Sequence, residues 1–553
     1  MGISSPKLGR SRGNQPSITS TSVPASVGGV NALNSLMEMP GTDCIYTYNM
    51  MPVEYGMRLR KGWREWATGA DGDVRTIIGY EGRNPGDDEM WAVTENGIYN
   101  VSLFNTTAPV EDQAFTTQGE AAGWGVHCEF VADNEDKYLY YADPLNGIFA
   151  YQTGGGWAAP ANWTRSDNAE PPVQVPFPVA DVAFVTVHKQ RIWVILEGSS
   201  DAWYLPIHSI AGELKKFTFG SKMPHGGRLS ALYNWTMDGG EGIDDYLIAL
   251  SRAGDVLVYK GDDPESIAGS EPLLGGPWTN VGAWFIGELP DSRRMAISQG
   301  SELYVLSVYG ITSIRDLLEG TSADELLKSP SAKVNRFLRI DVQEGIDRPG
   351  WALNANPSDG FLQVVTPEPS SGEYLQYNQN ISTKAWGFWR GVPMLCGGVW
   401  NGEYYLGGTD GIVYIYDATL DGTKLDGTLG ESIPWSQLTS FQGLGNHAAY
   451  KRVSFIRPIG ILNGTAAVNV KAVFDYNVSP NLAAPVAQTA GDGTAWDTSN
   501  WDDSLWDYGL SSGSIPIGAM GLGRSVAIAM KGNSTNRLTL VGWDMLFDVG
   551  GLL

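Results

Sequence analysis

Five histidines, three cysteines and 61 acidic residues are the groups in this 553-residue chain best suited to chemistry. His127, His188, His208, His225 and His447 show no HxH or HExxH spacing, and His127 beside Cys128 is the one His/Cys adjacency. A nucleophilic pair needs a third group to orient its base, and a structural metal needs converging ligands. Neither is marked here, so core or interface packing is the expectation for all five. Cys44, Cys128 and Cys396 are odd in number and far apart, which predicts neither a disulfide framework nor a CxxC metal site. The acids include the doublets Asp87-Asp88, Asp244-Asp245, Asp262-Asp263 and Asp502-Asp503. Glycoside hydrolysis would need two carboxyls facing one sugar, but most of these doublets read as turns, where Asp bonds nearby backbone. There is no S-x-D-x-G-x-x-W box, no GxSxG and no GxxxxGK[ST]. No catalytic residue, metal or cofactor is expected.

Trp496-Asp497, Trp501-Asp502 and Trp506-Asp507 recur at five-residue spacing, the period of neither strand nor helix. The expectation is a loop whose tryptophans sink separately into neighbouring surface, with a sugar-binding aromatic platform as the alternative. The formal charge of −24, from 37 basic and 61 acidic residues, argues against a phosphate-tracking surface, which needs clustered Lys and Arg. No apolar run approaches the ~18 residues of a membrane helix, and the first twenty residues lack the apolar core of a secretion signal.

The elements that must position these groups are strands. From about residue 71 to 430 the chain repeats a strand, a tight Gly-containing turn and a strand, as in MWAVTENGIYNV, LYYADPLNGIFAY and YYLGGTDGIVYIYD. Asn96-Gly97, Asn146-Gly147 and Asp410-Gly411 are dipeptides able to take positive φ at both turn positions. Anchors on the first strand of each unit are Trp91, Tyr140, Trp193, Leu247, Tyr304, Leu362 and Tyr405, spaced by roughly 50 residues, the length of a four-stranded propeller blade. The fold class is therefore all-β: a β-propeller of six or seven blades over 71–430, an extended N-terminal arm with linker strands over 1–70, and a C-terminal β domain over 431–553. Gly407-Gly408 reads as a place of close backbone approach near the propeller axis. Ser322 to Glu325 has capping-box spacing ahead of Leu326 and predicts a short helix. In the arm, Ile18, Val23, Val27 and Val30 stand among small residues, a spacing that would let an extended strand add to another chain's sheet. These four residues, with Trp496, Trp501 and Trp506, are the candidate interface residues.

Both ends of the chain carry a more specific pattern. Pro24, Val27, Gly28, Gly29 and Asn31 fit P-x-x-V-G-G-x-N, and Pro52, Gly56, Arg60 and Gly62 fit P-x-x-x-G-x-x-x-R-x-G; the Trp-Asp repeats, Gly521-Leu-Gly-Arg524 and the strand from Phe547 follow at the other end. In this the chain resembles the tail nozzle, or tail tubular, proteins of short-tailed bacteriophages. The resemblance implies a virion tail protein made in the host cytoplasm, without enzymatic activity. It also implies a homohexameric ring below the portal and adaptor, in contact with tail fibres or tailspikes, and DNA passing through its channel without specific binding. Surplus acids are expected to face that channel, where like charge disfavours phosphate adhesion. A carbohydrate-binding or polysaccharide-degrading propeller is the alternative.

Overall fold

The computed structural model describes residues 18–552 except 85, 168–169, 239–242, 266–277, 321–326, 368–372, 446, 463–464, 485, 490–510 and 514–516. The chain divides into two compact units, Arg60–Ser432 and a second formed by Met1–Leu59 with Ile433–Leu553.

The first unit is a β-propeller of seven blades. In chain order the innermost strands are Thr76–Tyr80, Val126–Val131, Val182–His188, Leu229–Asp238, Ala296–Gln299, Ala352–Asn356 and Cys396–Trp400. Antiparallel partners step outward from each, giving four strands in the first four blades and the sixth, three in the fifth, and five in the seventh, where Asp421–Thr423 adds parallel at the edge. All seven sequence anchors fall on the second strand of a blade, one per blade, and all seven are buried. The sequence reading took these for first strands. Two of the true first strands, AISQ at Ala296–Gln299 and CGGVW at Cys396–Trp400, are short and rich in small or polar residues, whereas VAFVTVH at Val182–His188 is as apolar as the second strand beside it.

A sheet has two faces to bury, and here each is buried against the next sheet. One apolar cluster joins Ile78, Trp91 and Ile98 of the first blade to Leu139, Tyr141 and Trp157 of the second. Others join the second to the third, the third to the fourth, and the fourth to the fifth. The seventh blade meets the first through Cys396, Tyr405 and Ile415 against Ile77, Met90 and Ala92.

Closure comes from the start of the unit. Gly62–Ala67 pairs antiparallel with Val413–Ala418 and so supplies the outer strand of the seventh blade, where the sequence reading had begun the propeller at 71. Three residues of the P-x-x-x-G-x-x-x-R-x-G pattern have identifiable constraints. A Cβ at Gly62 would lie 2.1 Å from the Leu420 carbonyl oxygen, and one at Gly56, in the other unit, 2.4 Å from that of Leu540. Arg60, with no exposed side-chain surface, donates from Nη1 and Nη2 to the two carboxylate oxygens of Asp421 at 2.7 and 2.6 Å.

The turns depart from expectation. Only Asp410-Gly411 has positive φ at both positions (55° and 67°); Gly147 has it alone and Asn96-Gly97 not at all. The preceding side chain closes those two turns instead: the Thr94 hydroxyl accepts from the Asn96 and Gly97 amides, and Asp143 Oδ1 from those of Leu145 and Asn146. The Ser322–Glu325 helix lies outside the described residues; helices occur at Ile314–Leu318 and Asn335–Glu344.

The second unit is two β-sheets with a shared core. One sheet contains Met50–Val53, Gly56–Leu59, Leu538–Leu552 and Ala449–Leu462, the last alternating buried and open positions along its length. The other runs through Asp43–Tyr48, Ile433–Thr439, Val526–Ser534 and Thr465–Phe474. Between them pack Trp435, Val470, Ile528 and Met530 against Ile456, Leu540, Trp543 and Phe547. The C-terminal β domain of the sequence reading is thus built from both ends of the chain. Its arm strand, Ile18–Pro24, runs antiparallel along Leu538–Leu552 of the same chain, from Ile18 opposite Asp548 to Pro24 opposite Gly542.

Candidate functional site

Where the seven innermost strands converge they enclose a cavity of about 310 Å³, and every blade contributes to its wall. Thr76 and Ile77 come from the first blade, Val126 and His127 from the second, Phe184 to Thr186 from the third, and Leu232 and Tyr233 from the fourth. Arg293, Arg294 and Ala296 come from the fifth, Leu353 and Asn354 from the sixth, and Gly397 from the seventh. Small and polar residues such as Thr76, Thr186, Ala296 and Gly397 share this wall with larger apolar ones such as Phe184 and Leu232.

The two arginines are held differently. Arg293 Nη1 donates to the Leu229 and Ser230 carbonyls at 3.0 and 2.7 Å, and its Nη2 reaches Glu197 Oε2 at 2.5 Å. Burial alone would raise the pKa of Glu197, but Arg293 and Arg228 outweigh it and hold the carboxyl below its ordinary range. Arg294 Nη1 donates to the Arg75 carbonyl at 3.1 Å and the Thr76 hydroxyl at 3.3 Å, and its guanidinium carbon lies 5.2 Å from the Trp124 ring centroid. Its Nε and Nη2 are shielded from solvent and have no hydrogen-bond partner. Burial pushes its pKa down. His127 is open where it lines the cavity but is surrounded by protein otherwise. Its pKa is lowered, mainly by burial and less by Arg294, with Glu129 opposing. No Asp or Glu is among the described residues of the wall, so an anion meets a favourable field there.

Asp502-Asp503 lies outside the described residues; acids of the other three doublets serve local structure. Asp88 Oδ1 accepts from the Gly82 amide and Asp87 Oδ2 from Asn84 Nδ2, while Asp245 and Asp262 both pair with Lys189 and Asp263 pairs with Arg191. No group of three or more His, Cys, Asp or Glu able to hold a metal occurs among the described residues. None of the three cysteines is in a disulfide among the described residues. Gly407 does sit at a close approach, with a would-be Cβ 2.6 Å from the Val74 carbonyl oxygen.

Of the candidate interface residues, Val23 and Val27 pack against the core of their own unit, and Val30 is fully buried. Ile18 pairs by its backbone with Asp548. Within the chain, then, the arm pairs along its own Leu538–Leu552 strand and its three valines are packed or buried. Trp496, Trp501 and Trp506 lie outside the described residues. Sequence reasoning missed Arg293-Arg294; an adjacent basic pair just ahead of a short strand, in a chain so acidic, was the signal available. No helix among the described residues is long and apolar enough to cross a membrane.

No family model matches the chain, and no curated protein matches it. Solved structures do. YCF48 bound to D1 peptide is 9% identical, with 68% of this chain and 99% of that one covered at a TM-score of 0.33. Sqt1 of Saccharomyces cerevisiae is 12% identical over 65% and 99%, at 0.32. A glycoside hydrolase family 43 arabinoxylan arabinofuranohydrolase from Bacillus subtilis, in complex with cellotetraose, is 12% identical over 87% and 96%, at 0.25. What those proteins bind or cleave stays with them; for this chain the strand pairing itself establishes a seven-bladed β-propeller joined to a β unit made from both chain ends.

Proposed function

We propose that the chain is a structural subunit of the tail nozzle of a short-tailed bacteriophage. One observation carries this reading: patterned residues from the two ends of the sequence, several hundred positions apart, fold into one unit and have defined packing roles in it. Asn31 Nδ2 donates to the buried Asp43 at 2.6 Å, and a Cβ at Gly28 would meet that same carboxylate at 1.9 Å. At the other end, Gly521 and Gly523 lie against the Phe474 side chain, where an added Cβ would come within 2.0 Å of the ring and 2.5 Å of the Phe474 Cβ respectively, and the Arg524 amide donates to Asp475 at 2.8 Å. A pattern with such tight steric reasons marks a particular scaffold more specifically than a strand rhythm does. In this reading the propeller is an insertion carried by the scaffold, and the homohexamer, the portal and adaptor contacts and the fibre or tailspike contacts belong to the assembled tail.

A second reading, a carbohydrate-binding propeller, is favoured by the axial cavity. Its volume is at the low end for small-molecule sites. Electron microscopy of the purified protein and of virions separates the two. A ring on a virion tail supports the nozzle; a monomer that binds or degrades polysaccharide overturns it.

A further inference from the structure

The cavity wall holds a cation that no described residue neutralises. Among the described residues Arg294 has no ion pair, and its Nε and Nη2 make no hydrogen bond. Arg293 beside it is paired with Glu197, and Arg75, which shares the Trp124 ring with Arg294, is paired with Glu95 at 3.4 Å. A buried charge without a partner is costly, and a guanidinium gives up its proton far less readily than a lysine or histidine. A counter-ion is the remaining means of neutralisation, and a cavity abuts the group. Two further side chains on that wall have unspent hydrogen-bonding capacity: the His127 ring and the Thr186 hydroxyl make no hydrogen bond among the described residues.

We propose that the axial cavity binds a small oxyanion, the carboxylate or phosphate group of a low-molecular-weight compound, with Arg294 as its charge partner and Thr186 and His127 as hydrogen-bonding groups. Nε and Nη2 are covered in this structure, so the oxyanion engages Arg294 through a turn of the guanidinium away from Trp124. Size selects the ligand class. At about 310 Å³ and roughly 30 Å³ per water in the liquid, the cavity takes a sugar acid or a sugar phosphate. A duplex, whose major groove alone is about 12 Å wide, has no room, so the propeller axis is not a DNA channel. The inference rests on neither functional reading, since a ring subunit and a binding protein could each carry such a site.

The test is calorimetric titration of the full chain at constant ionic strength with inorganic phosphate, galacturonate and uncharged galactose, with melting temperature read in parallel. The expected result is saturable binding of one phosphate or galacturonate per chain with a rise in melting temperature, and none with galactose. Phosphate alone identifies a phosphate-bearing ligand, galacturonate alone a sugar acid. Arg294→Gln weakens binding by about tenfold or more, the loss of one charge-assisted contact. Thr186→Val leaves Arg294 in place and weakens it by about threefold, which keeps the proposal falsifiable if the arginine variant does not fold. Absence of binding by both anions at millimolar concentration, or unchanged affinity in both variants, overturns it.

Discussion

In the propeller the apolar core is divided into wedges, each shared by two neighbouring blades, whereas the terminal unit has a main core between two sheets. The strands follow suit. Most propeller strands run four to seven residues, while the terminal unit contains strands of 14 and 15. Its connectivity is also less local, since Ile18–Pro24 lies on Leu538–Leu552. The difference teaches where each unit is vulnerable. A propeller blade leans on its neighbours through nearby sequence and depends on one distant pairing to close the ring, whereas the terminal unit, local hairpins such as Met50–Val53 with Gly56–Leu59 aside, is assembled by distant pairings.

The largest effects test whether the two cores are separate. Trp193 and Trp543 are 0% and 1% exposed, in the third blade and the terminal unit respectively. Truncating either to Ala is expected to cost about 3–5 kcal/mol. Calorimetry of the two variants should show each lowering a different unfolding transition. If both variants lower the same single transition equally, the units unfold as one and the comparison fails.

Next comes ring closure. Arg60→Met leaves Asp421 largely buried without its bidentate partner, an uncompensated charge worth about 3 kcal/mol. Amide hydrogen exchange should rise first in Gly62–Ala67 and Val413–Ala418, not in the terminal unit. Equal exchange across both units would show that closure is not a local weak point.

A smaller effect sharpens the electrostatic side. Glu197→Gln is expected to cost about 1–2 kcal/mol, because Arg293 keeps its backbone acceptors and Glu197 is more than a third exposed, so solvent screens the pair. The folded state lowers the pKa of Glu197. Its contribution is therefore full above the ordinary glutamate value of about 4.3 and is lost as pH falls through the lowered folded value. Melting temperature followed from pH 7 to 3 should fall less steeply below about pH 4 in the variant than in the parent; parallel curves would remove Glu197 from the account. Smallest of all, Lys215→Ala breaks a surface pair with Glu265, both side chains near half exposed. It should change stability by less than about 0.5 kcal/mol, and a larger loss would mean that the blade rim contributes more than its buried wedges suggest.

The sequence by itself determined the all-β character and the repeat. Trp91, Tyr140, Trp193, Leu247, Tyr304, Leu362 and Tyr405 recur at blade spacing because each blade must bury an apolar second strand between its neighbours, and a local requirement of that kind leaves a periodic trace. The inner strands left an uneven one, apolar in Val182–His188 but faint in Ala296–Gln299 and Cys396–Trp400, since a strand that faces a cavity tolerates polar and small residues such as Thr186, His127 and Gly397. Only the tertiary structure decided the number of blades, the use of Gly62–Ala67 to close the ring, the placing of Ile18–Pro24 on this chain's own sheet, and the meeting of Arg294, His127 and Thr186 around one cavity. Each of these joins residues far apart in the chain. Pairing and convergence of that kind depend on which edges and faces come together in space, and neither strand period nor turn chemistry encodes it.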